Sequence, residues 1–208
     1  LVEALSGMTF GEFLKQRIFE PLDMPDTDFQ VNESTKTRLV RLYQPKGSQP
    51  GNFLARNGNS ELEPAPLEYD DRYLNGGRFE SGGGGLLSTA RDYLRFSQMM
   101  LNRGELDGVR LLSPKTVELM TANHLGDIPM GYGANGYGFG LGFGILLGPG
   151  EVGEVSSAGE YNWGGLAGTR FWIDPKENLI GLFLVQSVPH RTRLAGDFKV
   201  LAYQALVE

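Results

Sequence analysis

Hydrophobic residues recur at helical spacing in three stretches of the first 130 residues. Thr9 and Glu12 form the pattern of a capping box, and the apolar residues after them predict a helix over 10–19. Two further helices are predicted with their own start and stop signals, one from Ser88 or Thr89 to Gly104 and one from the cap Ser113 to about Asn123. Between the first two helices, residues 43–71 are rich in proline and lack periodicity, which predicts a long irregular segment.

The last third of the chain changes to the period of β-strands. Aromatic and aliphatic residues alternate with glycines from Tyr137 to Ile145, which predicts one strand with an apolar face and a bare face that something packs against. Residues 169–173 and 179–186 are strand-like, and the turn composition between them predicts a β-hairpin. Apolar positions after Pro189 predict a closing amphipathic helix.

Helices followed by antiparallel strands and a final helix indicate an α+β fold. We find no linker that divides the chain, so residues 1–208 are predicted to form one domain. Its first part, 1–130, is mainly helix and loop, and its second part, 131–208, consists of antiparallel strands plus the closing helix. Leu1 to Leu5 already has helical character without a capping residue before it, so we expect the domain to be incomplete.

Composition excludes several classes of function. The net charge is -6, and Lys and Arg are not clustered, so a nucleic-acid partner is not expected. Apolar runs are too short for a membrane span. The chain has no cysteine, which excludes disulfides and thiolate chemistry and leaves the cellular compartment open. No metal site and no cofactor is predicted.

Two glycine-rich stretches invite a phosphate-binding interpretation that the flanking residues oppose. The run Gly138 to Gly144 is not followed by the helix that a dinucleotide fingerprint needs. After Ser81 to Gly85, the Lys-Ser/Thr pair of a phosphate loop is replaced by leucines. This second stretch is either a plain flexible connection or a tight turn whose bare backbone approaches a ligand.

Trp163-Gly164-Gly165 is a sharper signal, because it joins a large aromatic residue to two residues without side chains just before the predicted hairpin. Together with the capping-box helix, the stretch Ser81 to Tyr93 and the strand from Tyr137, its order along the chain resembles the β-lactamase family of serine hydrolases, in particular its class C-like branch with esterases and penicillin-binding-protein homologues. The resemblance covers nearly the whole chain and implies the carboxy-terminal part of a β-lactamase/transpeptidase-like fold.

The resemblance also implies roles for named residues. Trp163, Gly164 and Gly165 stand where the family has its third motif, and the backbone amide of Leu166 would be one oxyanion donor. The turn at Ser81, Gly82, Gly83 and Gly84 would form a wall of the site. The family's Ser-x-x-Lys nucleophile is absent, because no lysine of this chain has a serine three positions before it. Tyr73-Leu74-Asn75 matches Tyr-x-Asn in letters only, since it falls at the wrong place in the order.

The resemblance therefore implies a fragment of a serine hydrolase that acts through an acyl-enzyme on carboxylic esters or β-lactam-like amides. With no catalytic residue of its own, this chain is expected to be inactive alone. One alternative is a non-catalytic binding or scaffold protein of the same fold. Another is an interaction module whose open sheet edge recruits strands from a second chain, so a homo-oligomer or swapped assembly is expected.

Overall fold

A computed structural model describes residues 1–48, 61–66, 74, 79–131, 135–190 and 193–207. These residues form two compact units. The first contains Leu1–Phe96 and Gln186–His190, and the second contains Ser97–Val185 and Arg191–Glu208. The prediction of one domain stays a prediction.

The described residues include six α-helices, and two of them begin with a side-chain cap that the sequence predicts. Helix α1 (Val2–Ser6) ends at Gly7, whose φ is 72°, and α2 (Phe10–Leu14) begins with the predicted capping box and continues as a π-helical turn (Lys15–Phe19). The others are α3 (Ala90–Leu101), α4 (Pro114–Met120), α5 (Pro149–Val152) and α6 (Leu194–Gln204). The Ser113 side chain caps α4 by accepting a hydrogen bond from the Thr116 amide. The four predicted helices are confirmed as α2 with its π-helical turn, α3, α4 and α6.

In the part of the chain that the structure describes, nine short strands form three antiparallel sheets. Two are two-stranded: β1 (Tyr43–Pro45) with β2 (Leu62–Pro64), and β3 (Glu105–Leu106) with β4 (Val109–Arg110). The third has five strands in chain order: β5 (Tyr137–Phe139), β6 (Gly144–Leu146), β7 (Tyr161–Gly164), β8 (Arg170–Asp174) and β9 (Leu179–Phe183). The prediction of an irregular segment over 43–71 was therefore wrong at 43–45 and 62–64, where β1 and β2 pair.

The alternating glycine segment is a hairpin rather than one strand. Phe139 pairs with Gly144, and the Gly140 amide donates to the Phe143 carbonyl at 2.8 Å, so the chain reverses between β5 and β6. Gly142 has φ of 97°, a conformation that a residue with a Cβ rarely adopts. The prediction of a continuous strand from 137 to 145 was wrong because alternation alone does not reveal which glycine is a turn residue.

The bare face of β5 is packed as predicted. A Cβ on Gly138 would lie 2.3 Å from Asn123 Oδ1, and one on Gly140 would lie 2.2 Å from the Met120 carbonyl oxygen. The end of α4 therefore fills the space that side chains would need.

Each unit has its own buried residues. In the first, Phe19, Leu22, Met24 and Phe29 are at most 6% exposed. Fully buried Asp92 on α3 accepts hydrogen bonds from the Asp26 amide at 2.7 Å and the Thr27 hydroxyl at 2.9 Å. This carboxylate fixes the loop after α2 onto α3, because a buried charge needs such partners.

In the second unit the core lies on both faces of the five-stranded sheet. One face carries stacked aromatic rings, with Phe143 at 5.3 Å from Tyr161 and 6.1 Å from Phe171, centroid to centroid. On the other face Trp172 packs against Phe198 of α6 at 5.7 Å. The α+β fold class is confirmed, and strands β7 and β8 position the Trp163 motif.

Candidate functional site

Trp163 to Leu166 lie where β7 turns into β8. The Gly165 amide donates to the Thr169 carbonyl at 2.8 Å, and the Gly168 amide donates to the Gly165 carbonyl at 3.0 Å. Gly168 has φ of 94°. These features are those of a three-residue hairpin loop closed by a glycine in the left-handed region. Leu166 is the first residue of that loop.

The register of the hairpin determines which backbone N–H and C=O groups of β7 do not form hydrogen bonds with β8. Opposite residues of an antiparallel pair alternate between exchanging hydrogen bonds and facing away. Because Gly165 bonds to Thr169, Trp163 opposite Phe171 is a bonded pair, and the N–H and C=O of Gly164 point away from β8. Strand β6 lies on that side, but its register with β7 ends at Gly144 opposite Asn162.

The edge from Gly164 to Leu166 therefore extends beyond the end of β6. Among the residues that the structure describes, the Leu166 amide donates to no acceptor. Its side chain is 63% exposed. Such an amide, in an exposed loop, is available to donate a hydrogen bond to an external oxygen.

Apolar side chains flank this edge. Trp163 is 43% exposed and makes an edge-to-face contact with Phe139, centroid to centroid 5.0 Å. Its ring atom Cε3 lies 3.7 Å from the position that a Cβ on Gly144 would take. Leu141, in the turn between β5 and β6, is 51% exposed. The indole thus supplies an aromatic surface and no positive charge at residue 163.

The two glycines of the motif leave room for neighbouring side chains of the hairpin. A Cβ on Gly164 would lie 3.1 Å from Arg170 Cδ, since the arginine side chain crosses that residue. A Cβ on Gly165 would lie 2.3 Å from Thr169 Oγ1. Sequence reasoning missed Arg170 and Thr169, because the predicted hairpin paired 169–173 with 179–186 and not with the Trp163 motif, whereas the structure pairs β7 with β8.

Ser81 to Gly84 form a tight turn in the first unit. Ser81 and Gly84 form an antiparallel bridge, and the Gly83 amide donates to Ser81 Oγ at 3.1 Å. The nearest described side-chain atom to a Cβ on Gly82 would be 3.9 Å away, and a Cβ on Gly84 would have none within 4 Å. Of the two interpretations left open, the tight turn is correct. That its backbone approaches a ligand stays a prediction.

The other candidate residues have structural partners or lie outside the described residues. The His124 ring contacts the Leu119 carbonyl at 2.8 Å through Nε2, and Glu80 accepts from the Gly11 amide at 2.6 Å. Tyr73 and Asn75 lie outside the described residues, as do Asp70 and Asp71. In the described part of the chain, no group of three or more His, Asp or Glu is arranged to hold a metal ion.

Four described tyrosines are poor candidates for a general base. Burial raises the pKa of Tyr93 to about 12. Burial also raises the pKa of Tyr137, Tyr161 and Tyr203. A base that acts near neutral pH needs a pKa near that pH, so these phenols stay protonated.

The sequence pattern of the Beta-lactamase family matches residues 1–205. The chain belongs to the β-lactamase family. It is 31% identical over 198 residues to an uncharacterised protein of Mycobacterium tuberculosis, covering 91% of this chain and 46% of that protein. It is 30% identical over 218 residues to lovastatin esterase of Penicillium rubens, covering 96% and 51%.

A solved structure shares the fold of this chain. The solved structure of EstCE1, a hydrolase with promiscuous acyltransferase activity, superposes with a TM-score of 0.79 at 21% identity, covering 97% of this chain and 52% of that one. The chain thus spans about half the length of these relatives.

Within the described residues, no helix is long and apolar enough to cross a bilayer.

Proposed function

We propose that this chain is part of a serine hydrolase that cleaves carboxylic esters or related amides through an acyl-enzyme. The observation that carries the proposal is the Leu166 amide just after β7, which has no acceptor among the described residues, within a chain of the β-lactamase family. The attacking serine belongs to polypeptide outside residues 1–208, because these residues contain no Ser-x-x-Lys.

The chemistry follows from nucleophilic acyl transfer. The serine oxygen attacks the carbonyl carbon, the alcohol or amine leaves, and water then releases the acyl group from the serine. The carbonyl oxygen becomes negative in the tetrahedral intermediate, and backbone amides stabilise it. Removal of one such donor typically lowers the rate about 10²- to 10³-fold. In this proposal the Leu166 amide is one such donor.

This chain alone is expected to be inactive. An oxyanion donor without a positioned nucleophile forms no covalent intermediate, so the Leu166 amide cannot start the reaction.

The exposed indole of Trp163 favours neutral substrates. At residue 163 this chain presents an aromatic surface next to Phe139 and no cation that would attract a substrate carboxylate. We therefore infer a preference for neutral esters or lactones over penicillins.

The test uses the complete gene product and this chain side by side. A fluorophosphonate probe is expected to label one serine outside residues 1–208 in the complete protein and none in this chain. The complete protein should hydrolyse a short-chain ester faster than a carboxylate-bearing β-lactam. Label on a serine of this chain would contradict the proposal, and faster β-lactam turnover would contradict the substrate preference.

The missing nucleophile motif also favours a second candidate, a non-catalytic binding or scaffold protein of this fold. No labelling of the complete protein, together with no Ser-x-x-Lys in the rest of its sequence, would decide for that candidate.

A further inference from the structure

Two fully buried carboxyl groups in the second unit meet at one phenol. Glu160 precedes β7, Asp174 ends β8, and Tyr203 lies near the end of α6; Glu160 and Asp174 are both 0% exposed. The Tyr203 hydroxyl oxygen lies 2.7 Å from Asp174 Oδ2 and 3.0 Å from Glu160 Oε2. Both distances are those of hydrogen bonds.

The remaining oxygens of the two carboxyl groups have their own donors. Glu160 Oε1 accepts from Lys199 Nζ at 2.9 Å and from Asn162 Nδ2 at 3.1 Å. Asp174 Oδ1 accepts from the backbone amides of Lys176 at 3.0 Å and Glu177 at 3.2 Å. Neither group can therefore turn away from Tyr203 without losing partners.

The hydrogen atoms available to the three groups are too few. A phenol has one hydrogen to donate, and an ionised carboxylate has none. The Ser156 hydroxyl contacts Glu160 Oε2 and lies 3.3 Å from the Tyr203 oxygen, but it also has a single hydrogen. With both carboxyl groups ionised, at least one short contact between oxygens has no hydrogen in it.

The charges agree with this count. Two buried carboxylates would face one ammonium, Lys199, whose side chain is 12% exposed and which is also 3.2 Å from Glu154. One further proton would make the buried set neutral, which the low local dielectric favours.

The neighbouring titratable groups do not supply the missing hydrogen. Tyr137 on β5 is 3.5 Å from the partly exposed Glu154, and Glu177 in the turn after β8 accepts from Ser157 and lies near Lys176. Burial, together with the hydrogen bond to Asp174, raises the pKa of Tyr203, so the phenol keeps its own proton.

We propose that Glu160, Tyr203 and Asp174 bind one additional proton in the folded protein at neutral pH, shared between the two carboxyl groups. The protonated carboxyl group then donates a hydrogen bond to the Tyr203 oxygen. The Tyr203 hydroxyl in turn donates to the other carboxyl group, which stays ionised. In the unfolded chain both carboxyl groups are solvated and ionised at neutral pH. Folding therefore takes up one proton, and the attachment of α6 to the sheet weakens when that proton is lost.

Infrared spectroscopy tests the proton directly. The protein at neutral pH is expected to show the carbonyl stretch of a protonated carboxylic acid, shifted in heavy water. Asp174→Asn and Glu160→Gln should each remove that band. Asp174→Asn is the better control because its amide oxygen can keep the two turn amides while its NH2 group donates to the Tyr203 oxygen, leaving the phenol to donate to Glu160.

The pH dependence of unfolding gives a second readout. Because the folded state binds more protons, stability falls as pH rises, and one proton corresponds to about a tenfold loss in the folding equilibrium constant per pH unit. Relative to Asp174→Asn, the parent should show this loss between neutral and alkaline pH until the shared proton has left. Parallel pH profiles of parent and variant, or an unchanged infrared band in both variants, would overturn the proposal. Neither readout depends on catalytic activity.

Discussion

At the scale of single residues, the close approach of a neighbouring side chain explains why Gly181 has no room for a Cβ. The indole of Trp172 lies across Gly181 of β9, and a Cβ there would be 2.1 Å from Trp172 Cζ2. Trp172 is 3% exposed, and its Nε1 has no hydrogen-bond partner among the described residues. The ring is therefore held in place by its shape, between β9 and Phe198, rather than by a hydrogen bond.

Gly181→Ala is expected to destabilise the protein by about 1–3 kcal/mol, since the added methyl group overpacks a filled core. Gly196→Ala is the matched control, because that glycine lies in α6 with nothing within 4 Å of its Cβ position. It should stabilise the protein by up to about 1 kcal/mol through helix propensity. Urea unfolding measures both. Equal effects of the two substitutions would contradict the packing argument.

At the scale of elements, local signals predicted the helices, and contacts between distant residues decided the rest. The capping box at Thr9 and the Ser113 cap act within one turn, so the sequence shows them directly. The hairpin between β5 and β6 was not visible, because only the positive φ of Gly142 distinguishes a turn from the alternation of a strand. The contact of Glu160 with Asp174 through Tyr203 was not predicted, since Tyr203 comes from a helix distant in the sequence.

The same difference applies to the candidate site. The sequence predicted Trp163 to Leu166 from a motif, whereas the role of Thr169 depends on the register of β7 with β8. Gly165 thus has two explanations: room for a substrate, and room for the Thr169 hydroxyl.

A pair of variants in the complete protein separates these explanations. Thr169→Ala alone should retain ester hydrolysis. Adding Gly165→Ala should cost little stability, because the clash with Thr169 Oγ1 has been removed. It should lower kcat/KM for the ester at least tenfold, because the new methyl group then meets only the substrate. Steady-state kinetics and a melting curve measure both. An active double variant would show that Gly165 serves the hairpin alone.

At the scale of the whole molecule, the last strand of the five-stranded sheet lies at an edge. Within the described part of the chain, β9 pairs with β8 alone, and its residues, Leu179 to Phe183, carry no charge. Leu184, directly after it, is 49% exposed. Unpaired, uncharged edge strands favour pairing with another chain. The proposal of a homo-oligomer or swapped assembly rests on this edge.

We expect residues 1–208 to self-associate, and Leu184→Lys to reduce that association without unfolding the chain, because a charge at an edge opposes strand pairing. Leu62→Lys is the control, since Leu62 is 50% exposed but lies on β2 of another sheet. Light scattering across a concentration series measures the effect. A cooperatively melting monomer of the parent chain would contradict the expectation.

The contact between α4 and β5 has a consequence for how this protein can vary. The His124 amide donates to the Phe139 carbonyl and the Leu141 amide to the Met120 carbonyl, both at 2.8 Å, so the chain leaves α4 and returns to β5 at one fixed point. Lengthening or shortening the connection between them leaves both anchors intact, and loop closure costs little more as a loop grows. Insertions at this position are thus a low-cost route by which related proteins can acquire new surface while the sheet is preserved.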